Sequence, residues 1–270
     1  MKKNPTRIVL AGEGGQGIQT IAKVIASSAS KTGYEVTYLP SFGVEQRGTP
    51  SVAYLIISRH KILYPRFETA DYAVVLSKRA VQTLEKNIGN HTAVVFNSSI
   101  INEKSFKIGK LLGLAATELA STVSPRSFNV LIAAKICQIL SLDKITSWKS
   151  VLEILEHKLK SKEIVNNNQK VFDLGWETDL ENKIFSKQTF KPVNGISEHK
   201  NKKRIAKVFN ERCKGCGLCV EICPVRAIRF GSKIGIYGNF LPEIDIEKCI
   251  GCGKCFEICP DVAIKVSNLK

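Results

Sequence analysis

Eight of the nine cysteines in this chain lie beyond residue 212, and they fall there in one pattern given twice. The segment Cys213-Lys-Gly-Cys216-Gly-Leu-Cys219-Val-Glu-Ile-Cys223-Pro-Val-Arg-Ala-Ile228 returns 36 residues later as Cys249-Ile-Gly-Cys252-Gly-Lys-Cys255-Phe-Glu-Ile-Cys259-Pro-Asp-Val-Ala-Ile264, with 11 of 16 positions the same. Repeats this short usually form two halves of one core. Each copy reads C-x2-C-x2-C-x3-C-P. Three cysteines at even steps can wrap one corner of a cubane iron–sulfur cluster, and the fourth is carried past it to serve the other cluster. The spacing therefore assigns one [4Fe–4S] cluster to Cys213, Cys216, Cys219 and Cys259. It assigns a second to Cys249, Cys252, Cys255 and Cys223. Two structural zinc sites are the competing reading, but zinc is usually served by separated C-x2-C pairs. Three evenly stepped cysteines followed by C-P suit cubanes better.

Gly215, Gly217, Gly251 and Gly253 let these loops turn tightly and bring backbone N–H groups toward the sulfurs. Pro224 and Pro260 redirect the chain after the last ligand. Ile222, Ile228, Ile258 and Ile264 are expected to supply an apolar lining that keeps water out.

The remaining composition narrows the setting. Clustered thiols with no signal peptide point to metal in a reducing compartment, not to a secreted disulfide framework. Met1-Lys-Lys resembles the start of a leader, but the apolar stretch Ile8–Ala11 is too short to continue one. No apolar run is long enough for a membrane span, so a cytoplasmic location without membrane contact is expected. The formal charge is +16. Residues 206–270 contribute ten basic against seven acidic side chains, and eight cluster thiolates would turn that excess negative. The basic run at Lys200–Arg204 has no aromatic side chains interleaved and no nucleic-acid motif with it, so no nucleic-acid role is expected. Residues 181–205 are polar, Lys-rich and without periodicity, which reads as a basic linker. It is either a solvated tether or a docking segment for an acidic partner.

Upstream, residues 1–180 read as one α/β domain. Arg7–Ala11, Glu35–Leu39, Val52–Ser58, Tyr72–Ser77 and Thr92–Asn97 are strand-like runs. Helical spacing covers Ile18–Thr32, ended by Gly33, and recurs at Lys78–Asn87 and Lys162–Leu174, while Phe128–Leu140 and Trp148–Leu159 read as amphipathic helices. Continuous apolar strands between helices argue for a Rossmann-like parallel sheet covered on both faces. The fold class expected for the whole is thus an α/β domain over 1–180, the linker 181–205, and a small α+β two-cluster domain over 206–270.

Gly12-Glu-Gly14-Gly15-Gln-Gly17 fits G-x-G-x-x-G between a strand and a helix, where glycines let a backbone approach a phosphate. Dinucleotide binding also needs an acidic residue at the end of the second strand, and Tyr38-Leu-Pro-Ser41 offers none. A tight structural turn and an anion or coenzyme A contact remain open for Gly12, Gly14, Gly15 and Gly17. The Gly- and Pro-rich loop Pro40–Ser51 carries Arg47, which either clamps a carboxylate or phosphate or braces an interface.

The loop Gly12–Gly17, Pro40-Ser-Phe-Gly with Glu45-Gln-Arg47-Gly48, and Ala70-Asp71 opening a strand together resemble the gamma subunit of 2-oxoacid:ferredoxin oxidoreductases over residues 6–178. The tail resembles bacterial-type two-cluster ferredoxins and the delta subunit of the same enzymes. The chain is thus similar to a gamma–delta fusion, with Thr49 departing from the second glycine or alanine that many members have there. The resemblance implies that a 2-oxoacid (pyruvate first), coenzyme A and oxidised ferredoxin give acyl-CoA, carbon dioxide and reduced ferredoxin. Thiamine diphosphate with Mg does the carbon chemistry, and this chain lacks the GDG…N motif that would hold it. Those cofactors are therefore implied on separate alpha and beta subunits, with no catalytic residue here and no activity from this chain alone. The tail would pass electrons singly to an external ferredoxin. Two alternatives stand: a free-standing electron carrier with a nucleotide-binding regulatory domain, and a subunit of an indolepyruvate or other aryl-oxoacid oxidoreductase. Cys137 reads as a small buried side chain, and Trp148 and Trp176 as helix-packing residues.

Overall fold

The computed structural model describes residues 4–41, 50–158, 161–180 and 192–269. The chain divides into two compact units, Met1–Thr189 and Phe190–Lys270. Among the described residues no helix is long and apolar enough to cross a membrane.

The first unit is built on six strands: β1 (Thr6–Gly12), β2 (Glu35–Ser41), β3 (Ser51–Ser58), β4 (Tyr72–Val75), β5 (Ala93–Asn97) and β6 (Lys110–Leu114). Their order is β2-β3-β1-β4-β5-β6. β1, β4, β5 and β6 pair in parallel, with Leu10 opposite Val74 and Val74 opposite Val95. The apolar runs Ile8–Ala11, Ala73–Val75 and Val94–Phe96 are buried, as strands covered on both faces must be. The parallel expectation fails at one strand: β3 runs antiparallel to both β1 and β2. Residues 42–50 join β2 to β3, and that connection is shorter than the dozen or so residues a parallel crossover needs. β6 was not legible as a strand. Lys110-Leu-Leu-Gly-Leu is short, half exposed and carries a glycine.

Six helices accompany the sheet among the described residues: α1 (Ile18–Lys31), α2 (Lys78–Leu84), α3 (Ala116–Ser121), α4 (Phe128–Ile139), α5 (Lys144–Ile154) and α6 (Lys162–Glu177). α1 lies on β1, β2 and β3 and buries Ile18, Ile21, Ala22, Val24, Ile25 and Ala29. Full burial of each large aliphatic side chain contributes about 1.5–3 kcal/mol. α4 is not the amphipathic helix its spacing suggests. It is buried from Val130 to Cys137, since it packs against α1, α3, α5 and α6. α5 begins at Lys144, four residues ahead of the expected start, because Asp143 caps it by accepting the Thr146 N–H at 2.7 Å. Trp148 and Trp176 both pack on Phe172, at ring separations of 5.3 and 5.7 Å.

The second unit holds β7 (Ile196–Lys200), β8 (Arg204–Phe209), α7 (Leu218–Ile222), β9 (Ile228–Ile234), β10 (Phe240–Ile244), α8 (Lys254–Glu257) and β11 (Ile264–Asn268). The sequence repeat is a structural repeat: strand, cysteine loop, short helix, strand. The halves are intertwined, because β8 pairs with β11 and β10 pairs with β9, antiparallel in both cases. Val208 faces Ile264 in one pair and Ile244 faces Ile228 in the other, the same register shifted by 36 residues. These four side chains, with Ala206 and Cys255, form the small core. Part of the expected linker is structured. Residues 196–200 form β7 on the edge of a three-stranded sheet, in the order β11-β8-β7. Its alternate residues face solvent, so backbone pairing holds it and the apolar signal that marks a strand is missing.

Candidate metal centres and the glycine loop

The pairing of β8 with β11 and of β10 with β9 decides which cysteines meet. Cys213, Cys216, Cys219 and Cys259 line one cavity of about 400 Å³, part of it open to solvent. Cys223, Cys249, Cys252 and Cys255 line a second of about 360 Å³. Each cavity thus takes three cysteines from one half and the last cysteine of the other. Ile264 lines the first cavity and Ile228 the second. Ile222 and Ile258 do not complete the lining in the way expected; neither borders these two cavities, and each is 39% exposed.

Backbone conformation follows the repeat as closely. Gly215 and Gly251 are left-handed (φ 63° and 72°), and so are Arg226 and Val262 (φ 51° and 49°). A Cβ at Gly215 would stand 2.6 Å from the Phe240 carbonyl oxygen, so the loop closes only on glycine. Left-handed backbone costs a non-glycine residue roughly 1–2 kcal/mol, and it is spent here twice to the same end. It turns the next N–H back on the preceding cysteine. Ala227 N–H donates to Cys223 Sγ, and Ala263 N–H to Cys259 Sγ, each at 3.2 Å.

The thiols are electrostatically frustrated as free groups. Burial pushes Cys213 up to about 11, Cys219 to about 12 and Cys255 to about 11, with neighbouring cysteines adding to each rise. Four thiolates gathered in one partly buried place need a compensating cationic body. Among the described residues no three Cys, His, Asp or Glu side chains converge on a single-ion site. The cysteines stand around a space instead. That donor set fits a multi-iron core in each cavity, and the eight cysteines are the residues that would hold it.

One feature of the first cavity was not read from the sequence. Lys214 and Asp261, which both line it, form an ion pair at 2.8 Å with side chains only 6% and 15% exposed. The signal was present: both positions break the repeat, against Ile250 and Val225 in the other half. Lys214 is further fixed by Asn239, whose Nδ2 donates to its carbonyl at 2.8 Å. At the second cavity Arg204 donates to the Cys249 carbonyl at 2.5 Å.

In the first unit Gly12 ends β1, and Gly17 caps α1 in a left-handed conformation (φ 75°) against the Asn129 side chain. The loop between them is bonded within the protein. Glu13 N–H donates to Gln16 Oε1 at 2.7 Å, and Gln16 Nε2 donates to the Leu76 carbonyl at 3.2 Å. The Glu13 carboxyl, 1% exposed, accepts from Ser77 Oγ at 3.1 Å and pairs with Arg79 at 3.4 Å. Glu13 occupies a variable position of the glycine motif, yet it ties the loop to the residues that follow β4. Arg47 lies outside the described residues, as do Glu45, Gly48 and Thr49. Asp71 accepts the Arg7 N–H at 2.8 Å and braces β1 against β4. Cys137 is fully buried, and burial raises its thiol to about 11.

Comparison with known proteins places both units. Residues 7–178 match the family described as pyruvate ferredoxin/flavodoxin oxidoreductase, and residues 212–263 match the 4Fe-4S dicluster domain. The 2-oxoglutarate synthase subunit KorC of Archaeoglobus fulgidus is 28% identical over 172 residues, which is 63% of this chain and 86% of that protein. The common gamma subunit of the pyruvate/ketoisovalerate oxidoreductases of Thermococcus kodakarensis is 28% identical over 60% of this chain and 96% of its own length. The ketoisovalerate oxidoreductase subunit VorA of Methanothermobacter thermautotrophicus is 23% identical, and the match spans 65% of this chain but 37% of that protein. Two solved structures share the fold. The 2-oxoglutarate:ferredoxin oxidoreductase from Magnetococcus marinus superposes with a TM-score of 0.58 at 21% identity, covering 64% of this chain and 31% of that one. The gamma subunit of the keto/oxoacid ferredoxin oxidoreductase from Geobacter sulfurreducens does so with a TM-score of 0.55 at 19% identity, covering 65% and 96%. The chain belongs to the pyruvate ferredoxin/flavodoxin oxidoreductase family, as a gamma-type oxidoreductase subunit continued by a 4Fe-4S dicluster domain.

Proposed function

We propose that this chain is the gamma–delta component of a 2-oxoacid:ferredoxin oxidoreductase, with pyruvate as the oxoacid, and that it carries electrons from the complex to an external ferredoxin. The observation that carries the proposal is the meeting of four cysteines from both halves at each of two cavities, in a chain whose first unit belongs to the oxidoreductase family. The Magnetococcus marinus enzyme, solved with 2-oxoglutarate, coenzyme A and succinyl-CoA bound, supports a coenzyme A-dependent reaction. Pyruvate is chosen from the family description and from the Thermococcus kodakarensis relative. Relatives named for 2-oxoglutarate and ketoisovalerate set the competing substrates.

Two bound [4Fe–4S] clusters would supply one-electron storage. This chain's own part is to hold them and to shape their surroundings. Cys213, Cys216, Cys219 and Cys259 ligate at one cavity, and Cys223, Cys249, Cys252 and Cys255 at the other. Ala227 and Ala263 N–H groups donate to thiolate sulfurs, which favours the reduced, more negative state. Ile228, Ile244 and Ile264 close the space between the cavities to water. Because each half supplies a ligand to both sites, the sites are held close together and an electron can cross between them.

The buried Glu13 favours the tight-turn reading of Gly12, Gly14, Gly15 and Gly17, since an approaching phosphate would meet a carboxyl already bonded beneath the loop. Thiamine diphosphate, Mg and the carbon chemistry are assigned to alpha and beta subunits. The test is anaerobic purification of the chain with those subunits, followed by dye reduction against pyruvate, 2-oxoglutarate, branched-chain and aryl oxoacids with coenzyme A. Pyruvate-dependent reduction by the complex, and none by this chain alone, is expected. Preference for another oxoacid would reassign the substrate. A chain that elutes alone and never reduces dye would remove the enzyme reading.

A further inference from the structure

The second unit contains its own control experiment. Two halves of one architecture build two cysteine-lined cavities with matching glycine conformations, matching left-handed residues and matching N–H···S bonds. They part company at the positions directly flanking the ligands. Beside the first cavity stand Lys214 and Asp261, paired at 2.8 Å and almost removed from water. The equivalent positions at the second cavity are Ile250 and Val225, 54% and 37% exposed. The architecture is therefore complete without the ion pair.

Stability is a poor reason for that pair. Taking two charges out of water costs about what their attraction returns, and hydrophobic residues of similar size often serve as well. Its position is more informative. Lys214 follows Cys213, and Asp261 lies two residues beyond Cys259, so the pair joins the two chain segments that supply thiols to one site. Buried charges are screened little by salt. A cluster gains one negative charge on reduction. An ammonium beside it favours that step and a carboxylate opposes it.

We propose that Lys214 and Asp261 are opposed tuning residues, which together set the reduction potential of the cluster held by Cys213, Cys216, Cys219 and Cys259 apart from that of its partner. The inference rests on the two-cluster reading above. An inequivalent pair gives electrons a preferred order of residence in a domain that is otherwise symmetric. Neither residue is a ligand, and each acts through charge at the wall of the site.

The experiment is a redox titration of the full-length chain, purified anaerobically with its clusters, followed by electron paramagnetic resonance and by visible absorbance. Iron and sulfide content come first. A wild-type chain without two cubanes would fail the functional reading and be recognised as that before any potential is compared. With both clusters present, Lys214→Gln is expected to lower one of the two midpoint potentials and leave the other in place. Asp261→Asn, nearly the same shape as the native side chain, is expected to raise that same midpoint. Lys214→Arg, which keeps the charge, should restore it. The exchange of both for the other half's residues, Lys214→Ile with Asp261→Val, should bring the two midpoints together. Opposite shifts on one cluster are beyond a purely structural role, which would move both variants the same way. If Lys214→Gln takes up no iron, Asp261→Asn decides alone: an upward shift supports the proposal and no shift overturns it. Shifts in the same direction, or equal movement of both midpoints, also overturn it.

Discussion

The backbone N–H of Ala227 points at Cys223 Sγ from 3.2 Å, and Ala263 repeats the contact on Cys259 at the same distance. The residue before each alanine is left-handed without being glycine, Arg226 in one half and Val262 in the other. For a β-branched side chain that conformation is a genuine outlier. Such strain persists where the surrounding structure imposes it, often at functional sites. Val262→Gly should relieve it while preserving the aim of the Ala263 N–H. We expect the cluster-loaded chain to gain about 1 kcal/mol, the strain relieved less the entropy of the added glycine. Anaerobic urea denaturation measures this, and a loss of stability would show that the conformation is unstrained.

The proposed crossed ligation predicts an unusual equivalence. Cys213→Ser and Cys259→Ser lie in different halves but line the same cavity. Either substitution should lower the iron content from about eight to about four per chain, as loss of one cubane requires. Combining them should lower it no further. If each half instead kept its own four cysteines, the double variant would lose both clusters, and iron analysis would read near zero.

Much of this was legible in the sequence because it is local. Ligand spacing is a property of a dozen consecutive residues, so the repeat alone is enough to propose the two cysteine sets. Strand direction is not local in that sense. The apolar run of β3 is the same whether it runs with β1 or against it, and only the short connection before it told otherwise. Periodicity likewise misjudged α4, since it detects a helix with one wet face and α4 has neighbours on most sides. β7 carries too few apolar residues to register. Lys214 and Asp261 are 47 residues apart, and nothing in either neighbourhood announces the other. Their departure from the repeat was visible, but its meaning required the fold to bring them together.

In the first unit the glycine loop depends on Glu13. Glu13→Ala removes a buried carboxyl from Ser77 Oγ and Arg79. It should cost about 2 kcal/mol, in the range for a buried, charge-assisted hydrogen bond whose partners stay behind. Glu13→Gln keeps an acceptor for Ser77 and should cost about half as much. Thermal denaturation of the purified chain distinguishes them. Equal stability of all three proteins would remove the lock between the loop and β4.

Lys135 gives the first unit a specific pH response. Its side chain is buried on α4 and donates to the Trp176 carbonyl at 3.0 Å and to Gln138 Oε1 at 3.2 Å. Burial lowers its pKa, partly offset by Asp179. Below the lowered value both folded and unfolded chains carry the proton, and this group adds no pH dependence. Between the lowered value and the ordinary lysine value the unfolded chain binds more protons, so stability rises with pH. Lys135→Met should abolish that alkaline increment. Stability curves of wild type and variant that stay parallel up to the lysine range would contradict the assignment.

Metal analysis of the anaerobically purified full-length chain decides whether eight cysteines hold two iron–sulfur cubanes. About eight irons and about eight acid-labile sulfides per chain are expected, with an absorbance near 400 nm that dithionite bleaches as about two electrons enter. About two zinc ions per chain, with no reducible chromophore, would contradict the two-cubane reading.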